Sequence, residues 1–212
     1  MRYVWYQLCG WACRLFCIFF FHFRVYGKEN VPRRGAFLLV SNHQSYLDPV
    51  LCGIPFTRSI YFLARDSLFA DWFFGSLISS LNTIPVKRDE ADYSAMRKVI
   101  SKLREGYGVC LFPEGTRTHD GKIAVFKPGF GLLCRRGNAA IVPVMIDGAF
   151  ECWPRFKKIF SRGSVVVWYG KAITVEEAKN MSDRELAETV TNRLRRMQTE
   201  CRVKHGKKPY DY

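Results

Sequence analysis

Short runs rich in β-branched and aromatic residues, separated by stretches of helical length, limit this chain more than any other feature. Residues 36–41, 59–64, 83–86, 108–112, 140–146 and 164–169 read as buried strands. Residues 68–81, 91–104 and 128–135 have helical length between them. A last long segment, 182 to about 203, opens on Ser182-Asp183-Arg184-Glu185, a capping-box pattern. Such alternation predicts an α/β fold, a central mostly parallel or mixed sheet flanked by helices. At 212 residues the chain fits one domain with a full core and an appended helix. No internal repeat, low-complexity tract or interdomain linker divides it.

The appended part is residues 1–24, and the domain is 25–212. Residues 3–23 are apolar except for Arg14 and a few small or polar positions, with His22 near the end. That is long enough to span a bilayer. No small-residue cleavage site follows, so the segment is expected to be retained. Gln7, Gly10 and Arg14 fall on one helical stripe, with Trp, Phe, Leu and Ile elsewhere. A mid-membrane arginine costs about 2.5–3.5 kcal/mol on insertion scales. A helix lying in one leaflet, with Arg14 reaching the headgroups, avoids much of that cost. A single span is the alternative. In both cases the basic flank after Phe23 places the domain on the cytoplasmic face of the membrane.

A formal charge of +14 predicts an anionic partner. Arg155, Lys157, Lys158 and Arg162 interleave with Trp153, Phe156, Ile159 and Phe160, which suits an anionic membrane surface. Stacking on single-stranded nucleic acid would use similar residues. No nucleic-acid module signature accompanies them, so no nucleic-acid partner is expected. The eight cysteines include no CxxC pair, so no metal is expected, and they read as reduced thiols. Cys9, Cys13 and Cys17 repeat along one helix face as small packing residues or as acylation sites.

Two segments carry chemistry. In Asn42-His43-Gln44-Ser45-Tyr46-Leu47-Asp48-Pro49, His43 follows a strand, where α/β sheets place functional loops. Asp48 lies five positions on and would not share a regular helix face with it. A loop or helix start would bring the carboxylate to the imidazole, fixing its tautomer. The plainer reading makes Asp48 a helix cap before Pro49. In Phe112-Pro113-Glu114-Gly115-Thr116-Arg117, a strand end leads to a glycine turn and a guanidinium suited to phosphate. Thr116 and Thr118 add hydroxyls. The plainer reading is a surface turn with a glutamate–arginine pair.

Two further segments are looser. Residues 82–88 end in Lys87 and Arg88, explained equally by a phosphate site or a solvated strand end. Residues 141–144 around Pro143 look like core strand. The aromatics Trp72, Phe73 and Phe74 give segment 68–81 more apolar surface than one face needs. Core packing accounts for this most simply, with a lipid-chain groove or bilayer contact as the other readings.

Taken in order, residues 42–49, 83–88, 112–117 and 141–144 resemble the four motifs of the 1-acyl-glycerol-3-phosphate acyltransferase family, of the PlsC type. The resemblance runs from about residue 25 to 170. It implies a glycerolipid acyltransferase fold with an N-terminal membrane-associated region. In having one apolar segment, this chain departs from members with a helical hairpin there. The implied donor is acyl-CoA or acyl carrier protein, and the implied acceptor is lysophosphatidic acid. His43 and Asp48 match the catalytic pair; Glu114, Gly115, Thr116 and Arg117 match the acceptor-binding motif. Lys87 and Arg88 match the second motif and Pro143 the fourth, all as substrate-binding residues. No cofactor is implied. His43 would take the acceptor's hydroxyl proton as that oxygen attacks the thioester, and no covalent acyl-enzyme is needed. Rival readings are acylation of glycerol-3-phosphate or another lysolipid, and a non-catalytic membrane-surface protein.

Overall fold

Strand β2 (Phe37–Ser41) is buried along its whole length because it lies at the centre of a sheet covered on both faces. In the computed structural model, residues 2–87 and 92–212 are described. Among them, β1 (Arg24–Tyr26), β2, β3 (Ile60–Arg65), β4 (Thr83–Val86), β5 (Gly108–Leu111), β6 (Ala140–Asp147) and β7 (Val166–Tyr169) form one sheet. Their order is β1-β7-β6-β2-β5-β3-β4. Neighbours run parallel except β6 and β7, which pair antiparallel, so the sheet is mixed. Each expected strand is present, with ends shifted by at most two residues. β1, three residues long, went unanticipated.

The helices are α1 (Arg2–Phe20), α2 (Asp48–Gly53), α3 (Trp72–Ser80), α4 (Tyr93–Arg104), α5 (Phe130–Gly137), α6 (Ala149–Cys152), α7 (Val175–Lys179) and α8 (Asp183–Lys204). Alternation along β2 sorts them into two layers. Leu38 and Val40 face a cluster with Val99 of α4, Leu133 of α5, Ala178 of α7 and Leu194 of α8. Phe37 and Leu39 face the other, with Cys17 of α1, Leu51 of α2 and Cys152 of α6. At the head of α8 the capping box forms: the Ser182 hydroxyl accepts from Glu185 N–H, and the Glu185 carboxylate accepts from Ser182 N–H. Thr174 and Glu177 do the same for α7. All eight thiols are free, and six of them are buried.

Segment 68–81 differs from its expectation in two ways. A 3-10 turn (Asp66–Phe69) precedes α3, because the Asp71 carboxylate accepts from Phe74 N–H and starts the helix late. Nor do its aromatics enter the core: Trp72 is 81% exposed, and Phe73 and Phe74 are exposed as well.

Helix α1 divides its faces. One side packs on the domain: Trp5 Nε1 donates to Ser80 Oγ (2.9 Å), and Tyr6 Oη accepts from Ile60 N–H (3.3 Å). Gln7 donates to Thr57 O, so it turns into the protein and not along a polar outer stripe with Arg14. The opposite side leaves Val4, Leu8, Trp11, Leu15, Ile18 and Phe19 exposed, an apolar stripe at helical spacing. Among the described residues no helix is long and apolar enough to cross a membrane.

Candidate active site

Asn42 sets the direction in which the chain leaves β2. Its amide donates to Ile146 O (2.9 Å) and accepts from Ile146 N–H (2.8 Å), extending the β2–β6 pairing by side chain where the backbone turns away. The next residues are pinned one by one. Gln44 donates to Gly121 O (2.9 Å), and Ser45 Oγ donates to Trp153 O (2.7 Å). Both side chains are buried, so each satisfied polar group spares a desolvation cost of about 1–3 kcal/mol.

Asp48 is the first residue of α2, yet it does not cap that helix; Leu47 holds the cap position and no side chain bonds there. The carboxylate folds back instead. Its Oδ2 accepts from Gln44 N–H (2.5 Å), from Ser45 N–H (2.7 Å) and from His43 Nδ1 (2.6 Å). The helix start thus solves the spacing problem that a regular helix poses. With Asp48 fully buried and Nδ1–H donating to it, the imidazole is held in the tautomer that leaves Nε2 free as a base. Phe112 stacks on the ring at 4.2 Å between centroids and 22° between planes, fixing its orientation.

The second segment leaves β5, the neighbour of β2, and closes on the first. Gly115 N–H donates to Phe112 O (3.0 Å), and Gly115 has φ +72°, a left-handed conformation that penalises a side chain. Thr118 N–H then donates to His43 O (2.8 Å). Arg117 lays its guanidinium over the Tyr46 ring at 3.6 Å, in good cation–π range. Its Nη1 is buried without a hydrogen-bond partner among the described residues. The sheet therefore brings His43, Asp48 and Arg117 to one edge, the carboxyl ends of parallel strands, where open α/β sheets bind ligands.

Glu114 is turned inward. It is buried, with Oε1 accepting from His43 N–H (2.8 Å) and Oε2 from Ala124 N–H (3.4 Å). Burial pushes its carboxyl up to about 7, against the pull of those two N–H donors. Glu114 therefore braces the backbone that carries His43. Pro143 is buried within β6 opposite Val40. Lys87 is exposed past β4, at the sheet's far edge, with β3 and β5 between it and β2. Its N–H donates to Asp92 Oδ2 (3.0 Å). Arg88 lies outside the described residues. Thr116 is exposed, and its Oγ1 accepts from Arg155 Nη1 (3.3 Å).

Three contributors were not read as site residues in the sequence. Tyr46 supplies the platform under Arg117. Arg155 reaches Thr116 and also approaches His119 Nε2 (2.9 Å). Lys127 Nζ would lie 3.2 Å from a Cβ built on Gly115, beside the phosphate-type turn. The last had a signal: Phe126-Lys127-Pro128-Gly129 is a cation beside a Pro-Gly break. A cleft of about 670 Å³ between Tyr6, Arg58, Tyr61 and Tyr107 lies at the opposite end of the strands, away from His43. Among the described residues no three His, Cys, Asp or Glu side chains converge as a metal-binding group.

A family model described as Acyltransferase matches residues 22–147. The 1-acyl-sn-glycerol-3-phosphate acyltransferase of Bacillus subtilis is 25% identical over 190 residues, covering 89% of this chain and 92% of its own length. The chloroplastic 1-acyl-sn-glycerol-3-phosphate acyltransferase LPAT1 of Arabidopsis thaliana is 29% identical over 73% of this chain, which spans only 44% of that relative. Among solved structures, the 1-acyl-sn-glycerophosphate acyltransferase PlsC of Thermotoga maritima superposes with a TM-score of 0.80. It is 27% identical, and the match covers 95% of this chain and 80% of that one.

Proposed function

The chain belongs to the acyltransferase family, and on that premise we propose that it moves an acyl group from a thioester to the free hydroxyl of 1-acyl-glycerol-3-phosphate, forming phosphatidic acid. One observation carries this reading: the imidazole, its buried carboxylate and a guanidinium with an unpartnered donor meet at one sheet edge. His43 Nε2 takes the hydroxyl proton as the oxygen attacks the thioester carbonyl. Asp48 holds Nδ1–H and stabilises the imidazolium that forms. Collapse of the tetrahedral adduct expels the thiolate, which the imidazolium can protonate. Arg117, braced on Tyr46, grips the acceptor phosphate and turns a chance encounter into a positioned attack. Arg155 and Lys127 add positive potential around it. The names of the relatives support this acceptor.

The donor is an acyl thioester on coenzyme A or on an acyl carrier protein. Helix α1 lies along an anionic membrane surface, with the domain on the cytoplasmic side; its exposed apolar stripe supports that placement. The test is thiol release from acyl-CoA in detergent, with and without lysophosphatidic acid. Release that needs the acceptor and disappears in His43→Ala is expected. Release of equal rate without acceptor, or full turnover in His43→Ala, overturns the reading. A panel with glycerol-3-phosphate and neutral lysolipids then fixes the acceptor class.

A further inference from the structure

Beside the active edge, residues 152–162 make a closed loop of which the proposed chemistry uses only Arg155. Ser161 N–H donates to Cys152 O (2.8 Å) and shuts its base. Trp153 Nε1 donates across to Lys157 O (3.1 Å), and Lys157 N–H donates to Pro154 O (3.1 Å). Trp153 and Phe160 fill the interior, 5.9 Å apart. This is a compact Ω-type loop with its own packing. Its tip nevertheless presents apolar side chains to solvent: Phe156 is 67% exposed and Ile159 is 78% exposed.

We propose that this tip inserts into an anionic lipid bilayer and so holds the acceptor-binding edge at the membrane. The inference rests on the acyltransferase reading for its consequence, though not for the insertion itself. Charge selects the occupant. Arg155, Lys157, Lys158 and Arg162 flank the two apolar residues along the loop, while the nearby Glu151 is already engaged by Arg202 and Lys207. Lysine is depleted from protein–protein interface cores, whereas lysines flanking exposed Phe and Ile match an interface of acyl chains under anionic headgroups.

The loop is stitched to both sides of the site. Ser45 binds the carbonyl of Trp153, Tyr46 Oη donates to Arg155 O (3.3 Å), and Arg155 reaches Thr116. At its other end Phe160 packs against Phe16 and Phe20 of α1. A membrane grip at Phe156 and Ile159 is thus relayed through one residue to the ring beneath Arg117. An acceptor whose acyl chain stays in the leaflet would meet that guanidinium with its phosphate at headgroup level.

The test pairs two acceptors with the double variant Phe156→Ser, Ile159→Ser. One acceptor is long-chain lysophosphatidic acid in phosphatidylcholine–phosphatidylglycerol vesicles. The other is a short-chain, water-soluble 1-acyl-glycerol-3-phosphate without vesicles. Vesicle partition and vesicle turnover should both fall roughly tenfold or more. Turnover on the soluble acceptor should stay within about twofold, as for an exposed substitution. Unchanged partition and vesicle turnover overturn the proposal. No soluble turnover in the unsubstituted protein sinks the acyltransferase reading instead, and partition still judges the loop. Phe156→Trp guards against misfolding: its added emission should shift to the blue on these vesicles, and an unshifted indole overturns insertion. Lys157→Gln with Lys158→Gln should weaken partition onto anionic vesicles alone; equal loss on neutral vesicles overturns the anionic-lipid assignment.

Discussion

The imidazole of His43 and the guanidinium of Arg117 belong to touching segments but are held on opposite plans. The polar groups that aim His43 are committed, Nδ1 to Asp48 Oδ2, the N–H to Glu114 and the carbonyl to Thr118, although the buried Oδ1 of Asp48 has no partner among the described residues. Around Arg117 the contacts are loose, a ring face below and a buried Nη1 with no partner among the described residues. A base must be aimed before substrate arrives, because a misplaced proton acceptor loses most of its effect. A phosphate clamp gains from staying unfilled, since each hydrogen bond it makes in the free protein must be broken on binding. On the proposed reading, the site is rigid where bonds change and receptive where charge is gripped.

The largest effect should come from breaking the rigid half. His43→Ala removes the base and should lower kcat by about 10³-fold, with acceptor KM changing little. Asp48→Asn should cost nearly as much, roughly 10²–10³-fold, because it upsets the imidazole tautomer as well as two backbone donors. Steady-state kinetics on a soluble acceptor reads both. A loss confined to KM would mean that the pair binds substrate and does not move a proton.

Breaking the receptive half should show in binding. Arg117→Lys keeps the charge but loses the fork and the flat contact with Tyr46. Acceptor kcat/KM should drop about 10- to 100-fold, mostly in KM. An equal fall in kcat with KM unchanged would move Arg117 from ground-state grip to the transition state.

How much of this contrast was legible in the sequence follows from range. Strands β2, β5 and β6 are continuous apolar runs because both sheet faces are covered, and such runs announce themselves. β1 has three residues, too few for any period. The pairing of His43 with Asp48 was visible as residue types but not as geometry. The return of the carboxylate to the 43–45 backbone decides it, and Asp48 looks like an ordinary cap on paper. Glu114 and Pro143 were assigned with their motifs; the structure buries both, Glu114 against the backbone of His43 and Pro143 within β6. Tyr46 beneath Arg117 is a contact between distant segments that no local pattern encodes, whereas Lys127 beside Gly115 was marked only by the Pro-Gly break that follows it.

Glu114 links the two halves and offers a pH test. Its folded carboxyl titrates near 7 against an ordinary 4.5, so the folded state binds the proton more tightly than the unfolded chain. The Glu114 contribution is therefore constant below about 4.5 and is lost as pH rises toward 7, then levels off. The full span is roughly 3–4 kcal/mol. Glu114→Gln should flatten that part of the denaturation-midpoint profile between pH 4.5 and 7.5. Identical profiles for both proteins would show that burial does not govern this carboxyl.

The smallest predicted effect probes the outer rim of the receptive half. Lys127 is exposed, so a phosphate at the turn would feel its charge through solvent, worth about 1 kcal/mol or less. Lys127→Ala should raise acceptor KM about three- to fivefold at low ionic strength and leave kcat alone. Added salt should erase the difference, because the Debye length shrinks to about 3 Å at 1 M. The same salt should leave the Arg117→Lys penalty largely in place, since Arg117 acts by direct contact from a partly buried seat. If both penalties faded together, Arg117 would be another member of a diffuse field, and the division between a rigid base and a fitted clamp would collapse. If the Lys127 effect resisted salt, the lysine would touch the phosphate directly, and the clamp would extend from Arg117 across Gly115.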